Sequence, residues 1–226
     1  MVTILPNDNK NRIPNSKINV IYYPPGAAGH LLSNCLMLAD NSATMSMRQS
    51  LDMLDGHFDQ DRKFNEMMFR LKGITKGTPW GDLGTPDHLD CLYYEASPHR
   101  NIDLKYLIDN NLHIFDLIHT DQEIQRLNKI VNINSIIQFS PSEEFVVRRR
   151  SINNFHELHN YTPNKLNHLI SKKSYCQVIN WTPNDLLTDD YINSIEEIYI
   201  KLGLTNFNRD YIIEYIKLWK HKVLGL

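Results

Sequence analysis

The stretch YYPPGAAGHLL, Tyr22 to Leu32, carries a run of β-branched and aromatic residues into two prolines and a glycine, and from there into an apolar segment. Upstream, Lys17-Ile-Asn-Val-Ile-Tyr-Tyr23 has the composition of a strand, which Pro24, Pro25 and Gly26 stop. Ala27 to Leu38 then reads as a helix, so the fold opens with strand, tight turn and helix. Such a turn lets backbone N–H groups approach a ligand closely, and the helix N-terminus adds a partial positive charge. That suits a phosphate or a sulfate. No Lys follows Gly29 and the pattern is not GxGxxG, so neither an ordinary nucleotidase loop nor a dinucleotide fold is indicated. Gly26 and Gly29 equally serve a tight turn with close helix packing, and the residues alone leave both readings open.

Downstream the alternation repeats. Asn111 to Ile118 reads as a strand, and His119-Thr120-Asp121 ends it with an N-cap for a helix over Gln122 to Val131. Ser135 to Phe139 is a second strand, closed by Ser140-Pro141, with Glu143 and Glu144 in the first turn of the next helix, where its dipole favours acids. Cys176 to Trp181 is a further strand. Asp189 or Asp190 caps a helix whose Ile192, Ile195, Ile198, Tyr199 and Leu202 follow the helical period and which Gly203 ends. A last helix over Arg209 to Val223 places Tyr211, Ile212, Tyr215, Leu218 and Trp219 on a core-facing stripe. Strands alternating with helices predict an α/β fold with a central parallel sheet and helices on both faces. Residues 1–16 read as an irregular N-terminal arm and 17–226 as one domain. Asn41 to Ser97 is Met-rich and turn-prone, and Gly73 to Pro86 reads as a loop or lid.

The composition sets outer bounds. With 226 residues, 42% hydrophobic and only 9 Gly and 10 Pro, the chain can build one sizeable core. A formal charge of −2 gives no global attraction to nucleic acid or to an anionic membrane, so any anion site must be local. Three cysteines far apart (Cys35, Cys91, Cys176) predict no disulfide framework and fit a reducing, cytoplasmic setting. His156-x-x-His159 lacks further ligands at metal-site spacing, so no metal is expected.

Taken in order, four segments resemble the P-loop sulfotransferase family. Tyr23-Pro-Pro-Gly-Ala-Ala-Gly29 stands where that family has Y-P-K-[ST]-G-[ST]-[ST], the cradle for the phosphosulfate of the sulfuryl donor PAPS. Ile118-His119 resembles the family's strand-end T-H. Phe139-Ser-Pro-Ser-Glu143, followed by Val146-Val-Arg-Arg-Arg-Ser151, is similar to R-N-P-x-[DE]-x-x-x-S. Val178 to Leu187, with a helix ending Lys201-Leu-Gly-Leu204, is similar to the Y-E-D-L segment and the helix to F-L-G-L, and the likeness spans roughly residues 17 to 222. The resemblance implies the P-loop NTPase-like sulfotransferase fold, with PAPS or adenosine 3′,5′-bisphosphate bound at Pro25, Gly26, Ala27, Ala28, Gly29, His30 and Leu31. It also implies His119 as general base and Arg148 with Ser151 holding the 3′-phosphate. Pro25 stands where the family has its Lys, Ala27 and Ala28 replace hydroxylated residues, and Phe139 replaces the Arg.

His30, at the start of the helix, adds charge beside a bound anion when protonated and is a second catalytic candidate. Arg148 and Ser151 lie i and i+3 on one helix face and suit a phosphate, while the run Arg148-Arg149-Arg150 equally balances Glu143 and Glu144 as an exposed basic stretch. His119 suits removal of a hydroxyl proton, and reads otherwise as a strand-end His bonded to the next helix. Asp87, His88 and Glu95 are placed to meet an acceptor. The expected function is sulfuryl transfer from PAPS to a hydroxyl or amine. The alternatives are a non-catalytic binding or structural module, for example in a viral particle, and, with least support, a divergent kinase. Expected partners are a small anion or nucleotide and a protein of the same assembly, with no nucleic acid and no membrane.

Overall fold

The structure, a computed structural model, describes residues 13–23, 27–43, 60–72, 111–147, 176–188 and 190–226. Strand β1 (Ile13–Tyr22) is followed by helix α1 (Gly29–Met37), a two-residue strand β2 (Ser42–Ala43) and helix α2 (Gln60–Lys72). Then come β3 (His113–Ile118), α3 (Asp121–Ile130), β4 (Val131–Phe139) and β5 (Gln177–Trp181). A 3₁₀ turn (Pro183–Leu187), α4 (Tyr191–Leu202), α5 (Arg209–Trp219) and a π-helical turn (Lys220–Leu224) complete it.

The sheet order is β2-β3-β1-β4-β5, and every neighbouring pair is parallel. The predicted α/β class and parallel sheet are therefore present. The runs NVIY, IFDLI and SIIQF are nearly continuous in apolar character because both faces are covered. One face presents Ile21, Phe115, Leu117, Ile137 and Ile179 to the core formed with α1, α4 and α5. The β1-to-β2 connection moves one way across the sheet and the β3-to-β4 connection the other, so right-handed crossovers put α1 and α3 on opposite faces.

Two boundaries differ from the sequence expectation. β1 begins at Ile13, inside the predicted arm, where Ile13 pairs with Val131 across a register shift. The long-range partner extends the strand through Pro14 and Asn15, which read locally as breakers. β4 starts at Val131, so the residue expected to end α3 is already strand. The run from 41 to 97, unreadable in sequence, contributes β2 and α2 within its described part.

Helix α1 is buried on every side except at His30, sandwiched between the sheet and the outer helices. Its C-terminal carbonyls, which have no partner within the helix, are all met. Tyr199 Oη donates to Cys35 O at 2.7 Å, Ser42 Oγ to Met37 O at 2.8 Å, and Gln60 Nε2 to Leu38 O at 2.8 Å. Lys63, only 3% exposed, donates to Ala39 O at 2.8 Å and Ser42 O at 2.9 Å. Burial lowers the Lys63 pKa to about 8, against the pull of Asp40. Between the strands, Asn19 donates to His113 Nδ1 and accepts from Asn134 and Ser135, tying β1 to both neighbours. Burial, with the Lys17 charge, lowers the His113 pKa to about 4.

Candidate functional site

Connections leave β1 and β4 in opposite directions, so the sheet has its topological switch point between their carboxyl ends, where open α/β sheets bind ligands. Tyr23 stands there. Its N–H donates to Ile118 O at 3.1 Å, which ties the end of β1 to the end of β3. The ring is 2% exposed and packs against Phe139 at 5.6 Å between centroids and edge-on against His119 at 4.5 Å.

Both candidate histidines converge on this tyrosine. His119 Nδ1 lies 2.9 Å from Tyr23 O. A carbonyl only accepts, so neutral His119 carries its proton on Nδ1 and its basic nitrogen is Nε2. The Nε2 of His30 lies 3.2 Å from Tyr23 Oη. The backbone of His119 is also held, because its N–H donates to Glu123 Oε2 at 3.1 Å. Glu123 further accepts from Thr120 N and Oγ1, while its own N–H donates to Thr120 Oγ1 at 3.3 Å; this is a capping box that starts α3 one turn from the imidazole. Burial raises the Glu123 pKa, but these hydrogen bonds and the His119 charge outweigh it and hold the carboxyl below its usual range. On the other face, Tyr22 is pushed up to about 12 by burial and by Asp121 and Glu123.

The cradle residues sit directly beside Tyr23. Ala28 has φ 68 and ψ 26, the left-handed region that costs an L-residue roughly 1 kcal/mol or more. A left-handed residue immediately before a helix gathers successive N–H groups into a concavity suited to an anion. No acidic side chain occupies the first turn of α1.

The structure brings Ala27, Ala28, Gly29, His30, Leu31 and His119 together at one end of the sheet, with two corrections of role. Ala27 and Ala28 are fully buried and Leu31 is 1% exposed, so the side chains of these residues belong to the core. The absent side chain of Gly29 makes room for protein: a Cβ there would lie 2.4 Å from Tyr23 Cε1. The ring of His119 is bonded to the carbonyl of Tyr23, just past β1, while its backbone N–H is bonded to Glu123 of the following helix, as the strand-end reading expects. Pro25, Gly26, Arg148, Ser151, Asp87, His88 and Glu95 lie outside the described residues. Phe139 is fully buried between Tyr23 and Trp181.

Tyr23 and Lys63 are the residues that sequence reasoning missed. Tyr23 was visible as the last residue of a strand and the first of the turn motif, but without a role of its own. Lys63 sits among Phe64, Met67, Met68 and Leu71, whose helical spacing was the signal for α2. Among the described residues no group of three His, Cys, Asp or Glu could hold a metal ion, and no helix is long and apolar enough to cross a membrane. No protein-family model, curated protein or solved structure matches the chain.

Proposed function

We propose that the chain is a sulfotransferase-like protein that binds an adenosine phosphosulfate at the start of α1 and moves its sulfuryl group to a hydroxyl of an acceptor. The observation that carries the reading is His119, fixed at the carboxyl end of β3 with Nε2 as its basic atom, beside a left-handed turn that opens a helix. The backbone N–H groups of Ala28 to His30 suit the phosphosulfate, whereas Phe139, buried among aromatic rings, does not suit a phosphate. When bound, PAPS supplies an activated sulfur, whose bond to the bridging phosphate oxygen breaks as the acceptor oxygen bonds to it. The Nε2 of His119 takes the hydroxyl proton, and the helix N-terminus stabilises the negative charge left on the phosphate.

Calorimetry with adenosine 3′,5′-bisphosphate and turnover with PAPS test this. His119→Asn keeps a donor near Tyr23 O but has no base; it should leave nucleotide affinity unchanged and cut transfer by roughly 10²–10⁴. No binding at millimolar nucleotide refutes the reading. A second reading, a non-catalytic binding module, is favoured by Tyr23 packed on Gly29 and by the buried Phe139. It expects nucleotide binding without transfer, or neither together with a stoichiometric protein partner.

A further inference from the structure

Glu123 reaches further than a helix cap requires. Thr120 is the N-cap of α3, since its carbonyl accepts the first intrahelical bond, from Ile124 N at 3.3 Å. Thr120-Asp-Gln-Glu123 therefore has the spacing of a capping box, in which the acid at the third helical position reaches back to the N–H of the N-cap. That bond is present, from Thr120 N to Glu123 Oε2 at 2.8 Å, and Thr120 Oγ1 donates to the same oxygen at 2.9 Å. The ordinary motif ends there. In this chain Oε2 also takes the N–H of His119 at 3.1 Å, one residue further out, and His119 carries the candidate base.

His119 lies between the last residue of β3 and the N-cap of α3, beyond the strand ladder, so its N–H needs an acceptor from outside the sheet. Two elements then hold the residue from opposite sides. Its main chain is tied forward to α3 through Glu123, and its ring is tied back to Tyr23 O through Nδ1 at 2.9 Å. Tyr23 cannot follow a displaced ring, because its N–H is bonded to Ile118 O at 3.1 Å and its own ring is packed against Phe139 and Gly29. A displacement of the imidazole by roughly 0.6 Å away from Tyr23 O is enough to take this contact out of hydrogen-bonding range. The preference for a proton on Nδ1 is then lost, and rings protonated on Nε2 cannot act as a base there.

We propose that Glu123 is a positioning residue for His119: by accepting the His119 N–H, its carboxylate keeps the Nδ1 proton on Tyr23 O and leaves Nε2 as the basic nitrogen. The effect on turnover rests on the sulfuryl-transfer reading, whereas the tautomer does not. The role needs an acceptor oxygen at the full length of the side chain. Gln supplies both and is the other residue of the capping box. Asp keeps the charge but is one methylene too short to span from the third helical position to His119.

The test is side-chain 15N–1H correlation spectroscopy of the full chain at mildly alkaline pH, where imidazoles are neutral. The His119 signals are assigned by their loss in His119→Asn. The parent and Glu123→Gln should show a single tautomer protonated on Nδ1, and Glu123→Ala and Glu123→Asp a mixture with protonated Nε2. Glu123→Asp serves alone if the Ala variant, which also loses the helix cap, does not fold. With PAPS, kcat should follow the same order, falling by about tenfold in the Ala and Asp variants with nucleotide affinity unchanged. A parent that shows the mixture, a Gln variant that loses the tautomer as fully as Asp, or Ala and Asp variants that keep it overturns the proposal and leaves nucleotide binding intact. Tautomers that change in the expected order, in a parent that does not turn over PAPS, keep Glu123 in this role and remove the sulfuryl-transfer reading.

Discussion

Replacing Gly29 by Ala isolates the contact on which the candidate site is built. Gly29 is helical, so Ala would be favoured there by up to about 1 kcal/mol on propensity alone. The added Cβ would sit 2.4 Å from Tyr23 Cε1, and reaching an ordinary contact of 3.4 Å requires a shift of 1.0 Å. The ring has nowhere to go, since Phe139 and His119 press on it and Tyr23 Oη is bonded to His30. Overpacking of this kind costs roughly 1–3 kcal/mol, so Gly29→Ala should destabilise by about 1–2 kcal/mol net. For a chain of this size that lowers Tm by about 2–4 °C per kcal/mol. The assay is a double-mutant cycle by urea unfolding in parent and Tyr23→Ala backgrounds, with Tyr23→Leu as a milder second background. Once the ring is gone, Gly29→Ala should become neutral or stabilising by up to about 1 kcal/mol, a coupling of about 2 kcal/mol. An equal loss in all backgrounds would refute the packing argument and return Gly29 to a role in the turn itself.

Lys63→Met should cost about 1–3 kcal/mol, because Ser42 O loses its Lys63 donor inside the protein while Ala39 O keeps only the donors of Ser42. The folded pKa of about 8 lies below the unfolded value near 10.5, so between these values the unfolded chain binds more protons and stability rises with pH. The parent should gain up to about 3 kcal/mol on Lys63→Met from pH 8 to 10.5. Taking the difference between parent and variant cancels Tyr22 and Cys35, whose raised pKa values lower stability at high pH. A constant gap across this range would show that Lys63 is not buried in its charged form. Phe139→Arg, which introduces the Arg of the sulfotransferase pattern, should prevent folding, since it places a charge in a pocket walled by Tyr23 and Trp181. Circular dichroism should show the loss, and a folded variant with tighter nucleotide binding would contradict the assigned packing.

How much of the site was legible depends on the range of the interaction. The N-cap before α3 was read from His119-Thr120-Asp121, because Thr120 and Glu123 satisfy each other within four residues. The left-handed C-cap at Gly203 was read for the same reason. α2 escaped because its flanking sequence gave no stop or start signals, although its apolar spacing was regular. β1 was cut short at its start because Pro14 and Asn15 break strands locally, and only pairing with β4 overrides them.

The sequence by itself determined the α/β class, the order of the strands and helices outside residues 41–97, and the position of the turn at Tyr22 to Leu32. Local propensity and burial period are enough for that. Tertiary structure decided what the turn is for in packing terms. The Tyr23 ring, six residues back in the chain, lies where the Gly29 side chain would be, its hydroxyl holds His30, and the backbone carbonyl of Tyr23 holds His119, 96 residues away. These contacts depend on side-chain direction and on which strands lie side by side, which no local pattern encodes.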